Sequence, residues 1–453
     1  MEKNEEYTGE VIGLGTEGEG IIKCEGRTVF VPLSLVGETV SFKVLKVQKD
    51  IAYGKVLRVI TPSPDRTIPV CPAFPQCGGC SLQHMKYPAQ LKYKSAMVRA
   101  SLKKIGGISA PVADTVPCAG AYRYRNKLSL PIGLTPEGDP VCGFYAPRSH
   151  RIIPVRDCYI QAEWVKDIIS CVTSYAGALP REQRAKLRHI VVRKVGERHI
   201  IALVAAEKVP AGILTALLDN CFTDYTFLLN VNPKDTNVIF GSEWHTIRGE
   251  GFLKTEEGGI SFTVGANTFM QVNDEMRSRL YSCVLHEAGG SSVAIDLYSG
   301  GGLLTAMLAK SCGEAWGIEI VPEATQCADT LMEENGLTGR MHNICGAAED
   351  NIQILQKASG GGVIVCDPPR KGMERSVVKA IRDSGADKVI LISCNPATLA
   401  RDLGLLLGTL VEEGKDLVKC MEPASPYTLQ SVTPFDMFPQ TKWCETAAVL
   451  TRK

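Results

Sequence analysis

Three reactive side chains stand at the ends of apolar runs in the C-terminal part of the sequence. Cys394 follows VILIS in S-C-N-P, Asp367 follows GGVIVC in D-P-P-R, and Glu445 opens the last apolar run. A cysteine so placed can be a buried thiol that only fills space, and the aspartate can be a turn residue before proline. If the runs are neighbouring strands, these residues instead place a nucleophile, a polar contact and a base around one cleft.

A glycine-rich loop lies upstream of these strand ends. SSVAIDLYSGGGLLTAMLA, residues 291–309, predicts a strand, an acid, a glycine turn and a helix. The following strand ends at Glu319, where a carboxylate can accept hydrogen bonds from two ribose hydroxyls. The loop lacks the full G-x-G-x-x-G of dinucleotide-binding folds. It resembles the D-L-x-x-G-x-G motif of class I methyltransferases, which implies S-adenosylmethionine.

A thiolate beside a methyl donor suits a weak carbon nucleophile. Oxygen and nitrogen atoms attack a sulfonium methyl directly, whereas carbon 5 of uracil needs activation. Addition of a thiolate to carbon 6 gives a transient enolate that can attack the methyl group. A base must then remove the proton from carbon 5 so that the cysteine can leave. Cys394 and Glu445 are the candidates for these two steps.

A second cysteine motif lies near the N-terminal end. CPAFPQCGGCSLQH, residues 71–84, contains Cys71, Cys77 and Cys80 in the spacing C-x5-C-x2-C. Three thiolates spaced in this way can bind a metal or an iron–sulfur cluster, with a fourth ligand from elsewhere. The residue types alone leave zinc and iron both open, because four thiolates suit either.

The composition predicts an ordinary soluble protein with local basic segments. The N-terminal MEKNEEYTGE is not a signal peptide and no apolar run reaches about 18 residues, so we expect a cytoplasmic protein without membrane contact. Net charge is +1, but residues 84–127 hold nine Lys and Arg against one acid. Residues 181–198 hold seven against two. These segments are either solvated surface or attract a phosphate backbone. No protein partner can be inferred.

The spacing of strands and helices predicts three domains. Residues 1–60 read as the short strands of a small β-barrel, and TPSPDRTIP then reads as a linker. Residues 61–255 mix helices and strands and carry the cysteine motif and the basic segments. Residues 256–453 alternate apolar strands with helices, which predicts a parallel, doubly wound sheet. The carboxyl ends of such strands meet at one edge.

The C-terminal motifs together resemble the RNA (uracil-5-)-methyltransferase family. They are S-C-N-P, D-P-P-R, F-P-x-T-x-x-x-E and the segment TFMQVN, residues 268–273. The resemblance implies a class I methyltransferase (Rossmann-like) α/β domain in which Cys394 is the nucleophile and Glu445 the base. It implies that Phe269 stacks on a target base splayed out of the RNA. The cofactor contacts that it implies are Gln271, Tyr298, Gly300, Glu319 and Asp367. Two positions depart from the common family pattern, Trp443 in place of His and Leu303 in place of Asn.

The N-terminal half resembles the ribosomal RNA members of the same family. C-x5-C-G-G-C followed far downstream by D-C-Y-I resembles their 4Fe–4S site, which implies Cys158 as the fourth ligand and an α+β central iron–sulfur domain. Residues 8–60, with G-E-G-I and F-V-P-L-S-L-V-G, resemble a TRAM domain, an OB-like barrel that binds RNA. Barrel and cluster together favour 23S ribosomal RNA as partner, since tRNA-specific relatives generally lack both.

Three alternatives remain at this point. The first is the same reaction on transfer RNA. The second is methylation of an exocyclic nitrogen, because D-P-P also occurs in amino-methyltransferases, which need no thiolate. The third is a non-catalytic RNA-binding or redox-sensing protein whose iron–sulfur cluster controls binding.

Overall fold

The N-terminal region folds into a closed barrel of five strands. The computed structural model describes residues 1–234 and 236–453. The strands are β1 (Glu6–Leu14), β2 (Gly20–Cys24), β3 (Arg27–Val31), β4 (Thr39–Val47) and β5 (Ile51–Thr61). Their order around the barrel is β1-β2-β3-β5-β4. Alternate apolar side chains, among them Val29, Val40 and Phe42, point inward and are fully buried, as the period of a strand requires. The predicted barrel is therefore present.

The middle region is built on a seven-stranded sheet. Its helices and strands are α1 (Tyr87–Lys104), β6 (Lys127–Leu134), β7 (Pro140–Tyr145), β8 (Ile152–Pro154), α2 (Val165–Ala178), α3 (Arg181–Arg184), β9 (Leu187–Val195), β10 (Arg198–Ala205), α4 (Gly212–Asp219), β11 (Tyr225–Val231) and β12 (Glu243–Arg248). The strand order is β12-β11-β10-β9-β6-β7-β8. Buried side chains of α2 and α4, such as Tyr175 and Leu214, pack on the apolar face of this sheet.

The C-terminal region begins with a hairpin and continues as an α/β sheet. Its helices and strands are β13 (Phe252–Glu257), β14 (Ile260–Gly265), α5 (Asp274–Ala288), β15 (Val293–Leu297), α6 (Leu303–Ser311), β16 (Glu314–Glu319), α7 (Pro322–Glu334), β17 (Met341–Cys345), β18 (Val363–Cys366), α8 (Arg375–Asp383), β19 (Lys388–Ser393), α9 (Pro396–Leu407), β20 (Leu410–Glu413), β21 (Asp416–Lys419), β22 (Tyr427–Phe435) and β23 (Glu445–Arg452). The strand order is β17-β16-β15-β18-β19-β23-β22. The first five strands are parallel and β23 runs antiparallel to β19.

Helices cover both faces of this sheet, as expected for a doubly wound fold. Successive strand residues alternate between the two layers, so that Val363 and Val365 face one side and Ile364 the other. Helices α5 to α7 cover the first side, and α8 and α9 cover the second. Helix α1 packs against α9 and contributes Val98 and Leu102 to that second layer. None of the helices within the described residues is both long enough and apolar enough to span a bilayer.

A buried ion pair joins α1 to the segment between β22 and β23. Lys94 Nζ contacts Asp436 Oδ1, and both side chains are 0% exposed. The same ammonium donates to the carbonyl of Phe438 at 3.1 Å. Lys94 belongs to the basic stretch 84–127, so this stretch is not a continuous solvated face. Its buried lysine holds the chain that leads to Glu445.

Removal of one partner of this pair should destabilise the protein strongly. Lys94→Met leaves Asp436 buried without its cation, and we expect a loss of about 3–5 kcal/mol in the free energy of unfolding, measured by urea denaturation. Lys92→Met, on the exposed face of the same helix, should change it by less than about 0.5 kcal/mol. Equal effects of the two substitutions would contradict a structural role for the pair.

Candidate active site

Four of the predicted site residues lie at one edge of the C-terminal sheet. Tyr298 follows β15, Asp367 follows β18 and Cys394 follows β19, and these three strands are parallel neighbours. Glu445 is the first residue of β23. Because Ser393 pairs with Thr446, the register brings Cys394 and Glu445 to adjacent ends of neighbouring strands. The sheet therefore places a thiol and two carboxyl groups together.

The thiol of Cys394 is partly buried among these acids. Burial raises its pKa above the usual range, and the carboxylates of Glu445 and Asp367 raise it further. Arg370, from D-P-P-R, lowers it through its charge and a hydrogen bond to the thiol. The reactive form of a cysteine is the thiolate, so the balance between these groups decides how reactive Cys394 is.

Glu445 is a buried carboxyl with an unused oxygen. The residue is 4% exposed, and Oε2 has no hydrogen-bond partner within the described residues. Burial raises its pKa well above the ordinary value and Asp367 adds to the rise, whereas Arg370 and the Gln271 amide lower it. A carboxyl group in such surroundings becomes a stronger base once it is ionised, which suits proton abstraction.

The glycine loop borders a cavity of about 650 Å³ beside these strand ends. Predicted site residues Phe269, Tyr298, Gly300 and Asp367 all line it. A volume of this size is ordinary for a small-molecule site. Phe269 is 79% exposed at the rim. An exposed aromatic ring next to a cavity is well placed to stack on a planar ligand.

The loop backbone leaves room for a ligand at close range. Gly300 has φ +54°, and a Cβ added there would meet no atom within 4 Å. Gly302, with φ +81°, has the opposite surroundings, because an added Cβ would lie 2.6 Å from Ala328 Cβ. Tyr298 also adopts a left-handed conformation, with φ +67°, which is uncommon for a residue with a side chain. Gly302 is therefore required by its closeness to α7, whereas Gly300 is favoured by its left-handed conformation and borders open space.

Glu319 and Gln271 are not among the residues that line this cavity. The Glu319 carboxylate accepts hydrogen bonds from the backbone N–H of Gly300 at 2.9 Å and of Val321 at 2.8 Å. It therefore fixes the loop directly. Gln271 is 7% exposed and lies near Glu445, whose pKa it lowers.

Asp296 and Tyr281 line the same cavity, although the sequence analysis did not select them. Asp296 is buried, accepts a hydrogen bond from Thr305 Oγ1 at 2.6 Å, and burial raises its pKa to about 7. The sequence signal for Asp296 was its position before the glycine turn. Tyr281 lies on α5 without any local motif, and only the packing of α5 beside the sheet brings it to the cavity.

The cysteines of the N-terminal motif also come together. Cys71, Cys77, Cys80 and Cys158 line one small cavity. Burial raises the pKa of Cys80 to about 12 and of Cys158 to about 11, and neighbouring cysteines of the group add to both shifts. No three His, Cys, Asp or Glu side chains of the described residues are arranged so that they could hold a metal ion. The thiols share a cavity but do not form a closed ligand set.

A short segment connects the cysteine cavity with the loop that carries Phe269 and Gln271. Arg125 donates its backbone N–H to the carbonyl of Ile160, two residues after Cys158, at 3.0 Å. Asn126 donates its backbone N–H to Val272 at 2.9 Å and its side chain to the carbonyl of Gln271 at 3.2 Å. The two sites are therefore joined by consecutive residues.

Comparison with known proteins identifies the family. The family model described as tRNA (Uracil-5-)-methyltransferase matches residues 250–453. A protein of Halalkalibacterium halodurans named as an uncharacterized RNA methyltransferase is 37% identical over 467 residues, covering 100% of this chain and 98% of the relative. A protein of Clostridium tetani with the same description is 35% identical and covers 100% of this chain and 97% of its own.

A solved structure has the same fold over nearly the whole length. The Pyrococcus abyssi tRNA (uracil-54, C5)-methyltransferase in complex with S-adenosyl-L-homocysteine aligns with a TM-score of 0.73 at 22% identity, covering 98% of this chain and 99% of the other. The relatives are named as methyltransferases, so the non-catalytic alternative finds no support among them. On the full-length similarity and the matched domain, this chain belongs to the RNA (uracil-5-)-methyltransferase family.

Proposed function

We propose that this S-adenosylmethionine-dependent RNA methyltransferase methylates carbon 5 of a uridine in 23S ribosomal RNA, through a covalent adduct with Cys394. The pairing of Ser393 with Thr446 carries the proposal, because it sets a thiol beside a buried carboxyl at the same sheet edge where Asp367 lines the glycine-loop cavity. An exocyclic amine would need no thiolate in this position. The family and this juxtaposition together favour the uracil reaction over methylation of nitrogen.

The proposed steps use Cys394 and Glu445 in turn. The Cys394 thiolate adds to carbon 6 of the uracil, and the electron pair of the carbon 5–carbon 6 double bond moves to make carbon 5 nucleophilic. S-adenosylmethionine supplies the methyl group that carbon 5 takes. Glu445, as a carboxylate, then removes the proton left on carbon 5. The double bond re-forms, the carbon–sulfur bond breaks, and Cys394 leaves as a thiolate.

Other residues are proposed to bind and orient the two reactants. Gln271, Tyr298, Gly300, Glu319 and Asp367 would contact S-adenosylmethionine. Glu319 would also hold the glycine loop, and Gln271 would also align the base Glu445. The carboxyl groups of Asp296 and Asp367 suit a cavity that receives a sulfonium cation. Phe269 would stack on the extruded uracil, since its ring is free at the rim.

The choice of 23S ribosomal RNA rests on the resemblance of residues 8–60 and of the cysteine motif to the ribosomal RNA members of the family. We assign RNA binding to the barrel, residues 1–60, a cluster and RNA path to residues 61–255, and methyl transfer to residues 256–453. An rRNA substrate places the reaction in the cytoplasm. Transfer RNA is the second candidate, because the Pyrococcus abyssi tRNA (uracil-54, C5)-methyltransferase has the same fold over 98% of this chain, N-terminal half included.

Nucleoside mass spectrometry tests the substrate. We expect 5-methyluridine to fall in the 23S fraction, and not in transfer RNA, when the gene is deleted from its host. The wild-type gene should restore 5-methyluridine to the 23S fraction, and a gene encoding Cys394→Ala should not. This difference would show that the modification depends on Cys394. Loss from transfer RNA alone would replace the rRNA assignment with the second candidate, and no loss from either would reject both.

The covalent mechanism predicts different results for its two residues. Cys394→Ala should lower methylation by at least about 10³-fold and leave S-adenosylmethionine binding near normal, because the nucleophile is lost but the cavity is not. Glu445→Gln should accumulate a protein–RNA adduct on a denaturing gel, since methylation precedes proton removal. Cys345→Ala, at an exposed strand end of the same sheet, is the control. Activity in Cys394→Ala would exclude the adduct, and a lack of adduct in Glu445→Gln would exclude that residue as the base.

We further propose a 4Fe–4S cluster bound by Cys71, Cys77, Cys80 and Cys158. Its support is that all four thiols face one cavity, where the positive charge of bound iron would offset the cost of ionising buried thiols close together. Rotation of these four cysteine side chains would bring their sulfur atoms into position to bind one cluster.

Metal analysis of protein purified without oxygen tests the cluster. We expect about four iron atoms and equal sulfide per chain, and loss of both in Cys158→Ser. Cys142→Ser, a buried cysteine outside the cavity, should keep the iron. One zinc per chain without sulfide would overturn the assignment.

A further inference from the structure

We propose that Arg370, held against the ring of Trp443, is the cation that stabilises the Cys394 thiolate during addition to the base. This inference rests on the proposed role of Cys394 as the nucleophile. It adds a residue to the mechanism and assigns a purpose to the aromatic side chain near Glu445.

Two contacts tether Arg370 to the chain beside the thiol. Its backbone carbonyl accepts hydrogen bonds from Asn395 Nδ2 at 3.0 Å and from Thr398 Oγ1 at 3.4 Å. Asn395 is the residue next to Cys394, and it also caps α9 by accepting from Ala397. The D-P-P-R loop and the cysteine loop are therefore joined by hydrogen bonds.

A third contact directs the guanidinium itself. Its central carbon lies 4.6 Å from the centre of the Trp443 ring, a cation–π distance. Trp443 stands two residues before Glu445, so the cation is held between the strand end with the thiol and the strand end with the base. Lys442 Nζ also lies 4.3 Å from the centre of this ring, and the Lys442 ammonium forms an ion pair with Glu17 in the loop between β1 and β2.

The aromatic contact leaves Arg370 available for a charged reactant. No carboxylate within the described residues forms an ion pair with its guanidinium. Arginine bound to a carboxylate would have its donors occupied, whereas a ring face holds the ion and leaves its N–H groups free. A guanidinium also stays protonated throughout, so it can stabilise a thiolate without donating a proton to it.

The charges around Cys394 make such a cation necessary. The groups that face the thiol are Glu445 from β23, Asp367 from the end of β18, and Arg370. Burial and both carboxyl groups disfavour the thiolate, and Arg370 alone favours it. The net shift of the Cys394 pKa is upward even with Arg370 present, so loss of this cation would make the thiolate scarcer still and slow its addition to carbon 6.

The rate of alkylation of Cys394 by iodoacetamide, measured against pH by peptide mass spectrometry, tests this inference. In Arg370→Met we expect the midpoint of the curve of alkylation rate against pH to rise by about one pH unit. Alkylation at pH 7.5 then becomes about tenfold slower. Trp443→Leu should move it in the same direction, and Trp443→Phe should keep it close to wild type. Arg370→Lys should restore part of the shift. Lys371→Met, which removes the exposed neighbouring charge paired with Glu374, should leave the midpoint unchanged.

The outcomes separate this inference from the proposed function. Alkylation needs neither RNA nor S-adenosylmethionine. The shift in the pH midpoint of Cys394 alkylation can therefore be measured even if methylation proves independent of Cys394. An unchanged midpoint in Arg370→Met and Arg370→Lys would overturn the inference, and weaker RNA binding by these variants would make Arg370 a phosphate contact. An equal shift in Lys371→Met would overturn it as well, since net charge alone would then explain the effect.

Discussion

The contact between Lys94 and Asp436 is the constraint on which the candidate active site depends. Both charges are withdrawn from water, so neither side chain can leave the other without a large penalty. Asp436 directly follows β22, and the segment after it leads to Glu445. A helix far away in sequence therefore fixes the path of the chain that presents the base. An isolated loop could adopt many conformations, and the buried ion pair restricts this segment to one of them.

The rest of the molecule meets at the same segment. Gln440 exchanges two hydrogen bonds with Gln90 of α1, each at 3.0 Å, and its carbonyl accepts from Ser81 and Leu82, just beyond Cys80. Lys442 extends the contact to Glu17 in the barrel. The barrel, the cysteine motif and α1 thus all contact residues 436–443. The parts of the protein that bind RNA in our proposal therefore contact the segment that leads directly into the strand carrying Glu445.

Sequence patterns predicted the local features well because local rules govern them. Apolar runs that end in Asp367 and Cys394 are buried parallel strands, and the glycine turn after Asp296 has the left-handed residues that such a turn requires. The features that were not predicted depend on distant parts of the chain. The burial of Lys94 and the membership of α1 in the catalytic helix layer follow from tertiary packing alone. A lysine in a basic stretch carries no local sign that an aspartate more than three hundred residues away will pair with it.

The buried packing of the site raises the pKa values of its three carboxyl groups. Burial raises the pKa of Asp296 to about 7 from an ordinary 3.8, and it also raises those of Asp367 and Glu445. The folded state then holds the Asp296 proton over a range where the unfolded chain has lost it, so this group reduces stability as pH rises from about 4 to 7. Such a penalty is typical of sites built for a ligand. A bound sulfonium cation would favour ionised Asp296 and Asp367, and Arg370 serves the thiolate in our proposal. Burial and the neighbouring Asp367 hold the pKa of Glu445 well above its ordinary value although Arg370 lowers it, which suits a base that must take a proton from carbon 5.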